Sequence, residues 1–275
     1  MIAAAKVARS ASRLEESQPY TKSISEMLVS VSEGSNEVAH PLLEEHESKK
    51  TTLVIVVVSD KGLAGGFNSN ILREAQKIIN KNKKESKTTK VIACGKKAKG
   101  FFEFRNIPIE IEFVGSSDNP QFDQAEEIGN YCIDAYKNHE IDKVVLIYNK
   151  CKNSMEQTVE HRQILPCTTE DLVSSAEENI KKEESTYLKE IVYEPDTVSV
   201  LEGLIPTYIR TVIFNALLDS AAGEQVARRV AMQNATDNAD EMTETLTRLY
   251  NSVRQGAITT ELNEIVGGAE ALAAD

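Results

Sequence analysis

Thr51 to Ser59 reads Thr-Thr-Leu-Val-Ile-Val-Val-Val-Ser, and this run decides the fold. Its β-branched side chains favour extended backbone. No polar residue alternates with the aliphatic ones, so neither side of the strand is built to face water. Such a strand belongs in a parallel sheet with helices packed on both faces. The residues downstream keep to that plan. A helix is expected over about Asn68–Asn80, a short strand at Lys90–Cys94, then a lysine-rich helix ending near Phe104. Ile107–Phe113 alternates as a strand does. Gln121–Asn138 places Ala125, Ile128, Cys132 and Ala135 on one side of a helix, Asp142–Tyr148 is another buried strand, and Glu156–Ile164 suits an antiparallel edge. Strand-helix alternation over 51–195 implies a small, doubly wound, Rossmann-like α/β domain.

Outward from that domain the period changes at both ends. Over residues 1–32 small and apolar side chains recur at Ala4, Val7, Ala8, Ala11 and Leu14, then at Ile24, Met27, Leu28 and Val31, which is the helical step. Pro19 is expected to kink this helix, and 32–50 reads as loop. From 196 onward Leu204, Tyr208, Val212, Ala216, Val226, Val230, Met242, Leu246, Leu249 and Val253 keep the same step. Pro206 lies near the start of this stretch, where proline is tolerated, and Gly223 is the only glycine between Pro206 and Gly256. A helix of about 65 residues would be about 100 Å long and needs a partner along its length. The N-terminal helix is the only other one left unassigned. The expected architecture is therefore α/β: a long antiparallel coiled coil of the N- and C-terminal helices with the Rossmann-like domain inserted. The expected segments are 1–50, 51–195 and 196–275. The alanine-rich, polar seam suggests a thin rod and not a leucine zipper.

Composition narrows the function. The chain has 275 residues, 41% hydrophobic and 27% charged, with net charge −12. That charge argues against a nucleic-acid or anionic-lipid binder, because phosphate contacts need clustered Lys and Arg. Leu53–Val58 is the longest aliphatic run, far short of the roughly 20 residues that span a bilayer. The first residues, Met-Ile-Ala-Ala-Ala-Lys, lack the apolar core of a secretory signal. Cys94, Cys132, Cys151 and Cys167 show no metal spacing and read as reduced structural thiols. His40, His46, His139 and His161 are scattered, which does not suit a metal or catalytic cluster.

One stretch could carry chemistry. Ser59-Asp60-Lys61-Gly62-Leu63-Ala64-Gly65-Gly66-Phe67-Asn68 follows the first strand and opens the first helix. A phosphate would bind at that position in a doubly wound sheet. The spacing is neither of the glycine-rich phosphate motifs, and it lacks the lysine-hydroxyl pair of a P-loop. The competing reading is that Gly62, Gly65 and Gly66 permit a tight strand-to-helix turn, with no cofactor bound.

The same stretch resembles the S-D-[KR]-G-L-x-G-x-[FYH]-[NS] element of F-type ATP synthase γ subunits. The C-terminal region resembles that family over a longer span: Glu224–Met232 (EQVARRVAM), Ala235–Ala239 (ATDNA) and Tyr250–Ala269 (YNSVRQGAITTELNEIVGGA). Ala3–Lys6 and Arg13–Tyr20 look like the family's first helix. The resemblance covers both ends and much of the middle, in the family's order. Family members usually carry several more turns of basic helix before the position of Met1, which would leave the upper part of the terminal helix short of a partner.

The resemblance implies a rotating, non-catalytic central stalk that couples proton flow through a membrane rotor ring to ATP chemistry on neighbouring subunits. Implied partners are the α and β subunits, the ε subunit and the rotor c-ring. Membrane contact would come only through the complex, at the cytoplasmic face of a bacterial plasma membrane. It implies that Arg254, Gln255, Thr259 and Glu261 contact a β-subunit loop, that Lys6 and Arg228 face acidic β-subunit levers or their collar, and that Tyr193 and Glu194 of the Tyr-Glu-Pro-Asp element lie near the rotor ring. No metal or cofactor is implied. Asp196 could also cap the following helix. Residues 171–189 are acidic and fit no part of this plan. Two other functions remain to be weighed: a nucleotide-binding α/β enzyme, which lacks a convergent catalytic set, and a passive coiled-coil scaffold, which leaves the Arg254-Gln255 neighbourhood unexplained.

Overall fold

A computed structural model describes residues 2–34, 40–153, 156–167 and 197–273. It contains helix α1 (Ile2–Gly34), strand β1 (Thr51–Val57), α2 (Phe67–Lys84), β2 (Thr88–Cys94), α3 (Lys96–Phe104), β3 (Ile111–Phe113), α4 (Phe122–Lys137), β4 (Lys143–Cys151), β5 (Gln157–Leu165) and α5 (Thr197–Ala273). The chain divides into two compact units, Met1–Val230 and Ala231–Asp275.

In the first unit the strands form one sheet in the order β3-β2-β1-β4-β5. Pairing is parallel except between β4 and β5. β1 is central: Ile55 stands opposite Ile92 of β2 and Leu146 of β4. Its alternate side chains explain the unbroken aliphatic run. Leu53, Ile55 and Val57 join a core with α4, α1 and the first part of α5. Val54, Val56 and Val58 join a separate core with α2 and α3. Each fully buried aliphatic side chain contributes about 1.5–3 kcal/mol, so an alternating polar residue on β1 would leave one layer unsupported. The helices bury matching stripes: Phe67, Ile71, Leu72 and Ala75 on α2, and Ala125, Ile128, Cys132 and Tyr136 on α4.

Three strand expectations need adjustment. β3 spans only Ile111–Phe113, although Ile107–Phe113 alternates. Pro108 cannot donate to a ladder, and Ile107 and Ile109 instead pack against the α2–α3 core. β2 begins at Thr88 and β4 continues to Cys151, both longer than expected.

The long helices do come together in antiparallel order. Ile24, Leu28 and Val31 of α1 share a core with Leu201, Ile205 and Tyr208 of α5. Further along, Asn215 Nδ2 donates to Thr21 Oγ1. Further still, Lys6 and Gln225 meet on a single carboxylate, Asp118. Rising numbers on α1 thus match falling numbers on α5. α1 continues as one helix through Pro19. Within the first unit these contacts run along α5 from Leu201 to Gln225. In the second unit, taken alone, Met242, Leu246, Leu249, Tyr250 and Val253 are all exposed. Within Val198–Ala269 of α5 one 18-residue window reaches mean hydropathy 1.2, apolar enough for a membrane span, yet half of that window is buried within the protein. Buried apolar residues of a core helix account for that composition.

Candidate functional site

The turn after β1 is closed by its two polar ends. Ser59 donates its backbone N–H to Asn68 Oδ1 at 2.9 Å, and its hydroxyl lies 2.5 Å from the Lys61 carbonyl. Between them the backbone enters the left-handed region twice, at Leu63 (φ 61°) and Gly65 (φ 55°). Only Gly65, of the three glycines singled out, is therefore required by its backbone angle. Gly66 sits at φ −80° before α2. A Cβ on Gly62 would meet nothing closer than 3.9 Å. The residue that does take the strained angle without being glycine is Leu63, and its side chain is exposed.

Asp60, in the turn after β1, directs its carboxylate to the start of α3 and to the β3–α4 loop. Its carboxylate accepts from the Lys96 N–H, at the first turn of α3, at 2.8 Å and from the Ser117 N–H at 3.0 Å. Burial pushes its pKa up, but the N–H donors of Gly115, Ser117 and Lys96 outweigh that and hold the carboxyl below its usual value. The amide of Lys96 at the first turn of α3 is thus met by a carboxylate of the chain itself, and an anion approaching the turn would meet that negative charge. Behind it, the cavity lined by Val58, Gly95, Ser117 and Glu224 measures about 20 Å³, room for about one water.

Beside the turn, Asp118 gathers three elements. It accepts from Lys6 of α1 (2.9 Å), from Lys61 of the turn (2.7 Å) and from Gln225 of α5 (3.1 Å). Burial opposes ionisation there, but the hydrogen bonds and charges of Lys61 and Lys6 prevail and lower the pKa to about 2. Arg228, one turn above Glu224, bonds that carboxylate, Gln225 Oε1 (3.2 Å) and the Gly62 carbonyl (3.3 Å). Glu224 is buried, which raises its pKa despite the guanidinium. The structure therefore brings Lys6, Arg228 and the glycine turn into one cluster and engages both cations within the chain.

The other candidates lie in the second unit or outside the described residues. Arg254, Gln255, Thr259 and Glu261 are all exposed. Thr259 Oγ1 donates back to the Gln255 carbonyl at 2.9 Å, and the Arg254 guanidinium lies 6.0 Å from the Tyr250 ring. At about 100° per residue, Arg254 and Glu261 share one side of the helix, while Gln255 and Thr259 share another, roughly 100–160° away. One flat partner surface cannot touch all four. Tyr193, Glu194 and Asp196 lie outside the described residues, as does 171–189.

A family profile described as ATP synthase matches residues 1–272. The ATP synthase gamma chain of Nocardioides sp. is 37% identical over 277 residues, covering 99% of this chain and 89% of that protein. The chain belongs to the ATP synthase gamma-chain family. The gamma chain of Maridesulfovibrio salexigens is 39% identical over 274 residues, with 99% and 91% covered. Among solved structures, a chain of the central stalk and c-ring of Tetrahymena thermophila mitochondrial ATP synthase matches with TM-score 0.60 at 26% identity, over 86% of this chain and 96% of that one. A chain of the Euglena gracilis mitochondrial enzyme matches with TM-score 0.58 at 18% identity, over 98% and 96%, which shows the fold alone. Rotor coupling is the role of this family, and gamma chains form the central stalk that performs it.

Three features of this gamma chain escaped the sequence reading. Gly95 lies at φ 101°, and a Cβ there would stand 2.2 Å from the Val58 carbonyl oxygen. Its signal, strand-Gly-helix at Cys94-Gly95-Lys96, is a single glycine that does not stand out beside the richer glycine turn. Asp118 lies in a loop with no periodicity, and only the folded chain reveals its three partners. Asp219 is a half-buried acid within an aliphatic helix. It receives one weak backbone bond, from the Cys151 N–H at 3.4 Å, and burial drives its pKa up to about 7.

Proposed function

We propose that this gamma chain turns as the central shaft of a bacterial-type ATP synthase and has no catalytic site of its own. The observation that carries this reading is the family match over 99% of the chain, joined to a helix of 77 residues whose last part keeps its apolar ladder exposed. An exposed ladder of that length is built to be enclosed by other chains. The partners we assign are the α and β subunits around the terminal helix, the ε subunit beside the α/β domain, and the membrane c-ring at the foot.

Within that reading, 1–50 and 196–275 supply the shaft and 51–195 the lower domain. Arg254 and Glu261 on one side, with Gln255 and Thr259 on the other, meet different neighbours in the surrounding ring at any instant. A guanidinium is suited to a carboxylate or carbonyl loop of a β subunit. Lys6 and Arg228 would meet acidic β segments only as shared ligands, because Asp118 and Glu224 already hold them. Tyr193 and Glu194 are assigned to the rotor-ring contact by resemblance. The complex would sit at the cytoplasmic face of the plasma membrane, with this chain reaching the membrane only through the c-ring. Asp60 in the βα crevice favours the shaft over a nucleotide-binding enzyme.

The test is removal and return. Membranes lacking the chain should lose coupled ATP synthesis, and restoring it should recover both synthesis and co-purification with α, β and ε. Saturable ATP binding by the isolated chain, weakened by Gly65→Ala, would instead favour the enzyme reading.

A further inference from the structure

Among described side chains of residues 3–20 of α1, only Val7 is buried. The core cluster that anchors the second half of the helix through Ile24, Leu28 and Val31 includes no residue of the first, where Val7 alone is buried. What holds the first half is the loop between β3 and α4, residues 114–121 (VGSSDNPQ). Lys6 bonds Asp118, and Arg13 bonds both Asn119 Oδ1 and, at 2.9 Å, the Pro120 carbonyl. The same loop is fixed to the rest of the molecule at three further points. Gln225 of α5 bonds Asp118 at 3.1 Å, and Lys61 bonds it at 2.7 Å. Asp60 and Ser117 are joined twice, N–H to carboxylate and N–H to hydroxyl, each at 3.0 Å. The loop is further braced by Gln124, which donates to Ser116 Oγ at 2.6 Å.

We infer that the β3–α4 loop is a strap, with Asp118 as its positioning residue, that binds the first half of α1 to α5 and to the glycine turn so that they twist together under torque. The inference rests on the shaft reading for its consequence but not for its geometry. A twist applied to a pair of helices is resisted only where they are joined. Below Thr21 the joint is an apolar core; above it, the joint is this set of directional bonds. Charge-assisted bonds resist lateral slip, whereas an apolar contact can slide. Removing the Asp118 carboxylate releases one bond to each of three elements at once, and no neighbouring acid in the loop can replace it.

The experiment has two arms on the full chain. Hydrogen exchange on Asp118→Ala should quicken about tenfold or more in residues 3–16, with 21–31 and the sheet unchanged, and Asp118→Glu should restore much of the protection. Unchanged exchange in 3–16 would overturn the strap whatever the chain's role. In membranes carrying the assembled complex, Asp118→Ala should hydrolyse ATP at the wild-type rate when fully uncoupled. The protons pumped per ATP should fall at least about twofold as an opposing gradient builds, by the change in barrier balance that a released joint allows. A ratio equal to wild type at every gradient would overturn the mechanical role. If Asp118→Ala fails to assemble, Arg13→Met with Lys61→Met, both at solvent-accessible positions, must reproduce the exchange and load effects, and wild-type behaviour in that variant counts against the inference equally.

Discussion

Asp219 gives the sharpest quantitative prediction. It lies on α5 against the β4–β5 edge, half-buried, and among the described residues it forms no ion pair. The charged groups facing it are Lys150 and Arg162, which favour its ionisation, and Glu160, which opposes it. Two further acceptors nearby lack donors: Asn149 Oδ1 and Gln157 Oε1 are buried without hydrogen-bond partners. Both would lie 3.1 Å from a Cβ on Gly223, one helical turn beyond Asp219. The site is rich in acceptors and poor in donors, so a proton on Asp219 is favoured.

The sign follows from linkage. The folded pKa is about 7 against an ordinary value of 3.8. Below pH 3.8 both states are protonated and the group costs nothing. Between the two values the unfolded chain ionises first, so stability falls as pH rises; above about 7 the full penalty is present. A difference of about 3 units at 1.36 kcal/mol each is about 4 kcal/mol. Asp219→Asn removes the ionisation, keeps an oxygen for the Cys151 N–H and supplies a donor where acceptors are in excess. Denaturant titrations at pH 5, 6, 7 and 8 should show the Asp219→Asn variant gaining on wild type as pH rises, reaching about 2–4 kcal/mol at pH 8. A variant that is destabilised at pH 8, or whose difference from wild type does not change with pH, would show that Asp219 is charged and satisfied in the fold.

Other expectations follow from contacts that cannot relax. Gly95→Ala should cost more than about 3 kcal/mol or abolish soluble expression, because its Cβ would collide with backbone at 2.2 Å; a melting temperature near wild type would refute this. Gly129→Ala should cost less, about 1–3 kcal/mol by thermal melting, since its Cβ meets Arg210 Cγ at 2.8 Å, and Arg210 is tied to Asn130 by two bonds and can shift only by losing them. Phe102→Ala should cost about 3–5 kcal/mol in the same assay, as Phe102 is fully buried in the α2–α3 core. Arg254→Ala should leave the stability of the isolated chain unchanged but reduce ATP-driven proton pumping of the assembled complex; one lost charge-assisted bond is worth about 1.5–3 kcal/mol, and wild-type pumping at normal assembly would reduce Arg254 to solvated surface.

The layered domain was legible because its code is local. A run of six aliphatic residues can only be a strand covered on both sides, and α2 and α4 carry stripes that match a 3.6 period. The antiparallel meeting of α1 and α5 was legible by elimination, but its extent was not, since periodicity shows that a face wants a partner and not which residues of the partner are present. Candidate functional residues were legible only where they form part of a family signature, and Arg254 and Gln255 remain proposals of that kind. The Asp118 hub was not, because its partners stand 57 to 112 positions away, and a lone aspartate in a Ser-Ser-Asp-Asn-Pro loop reads as an ordinary turn former. The glycine turn illustrates the remaining gap. Its three glycines suggested either a phosphate cradle or a strained turn, and sequence pattern alone could not choose. The neighbouring Asp60 bears on the choice: its carboxylate accepts from the first amide of α3, so a negative charge of the chain already stands beside the turn. In the proposed shaft the same turn, through Lys61 on Asp118, takes part in the joint between α1, the domain and α5.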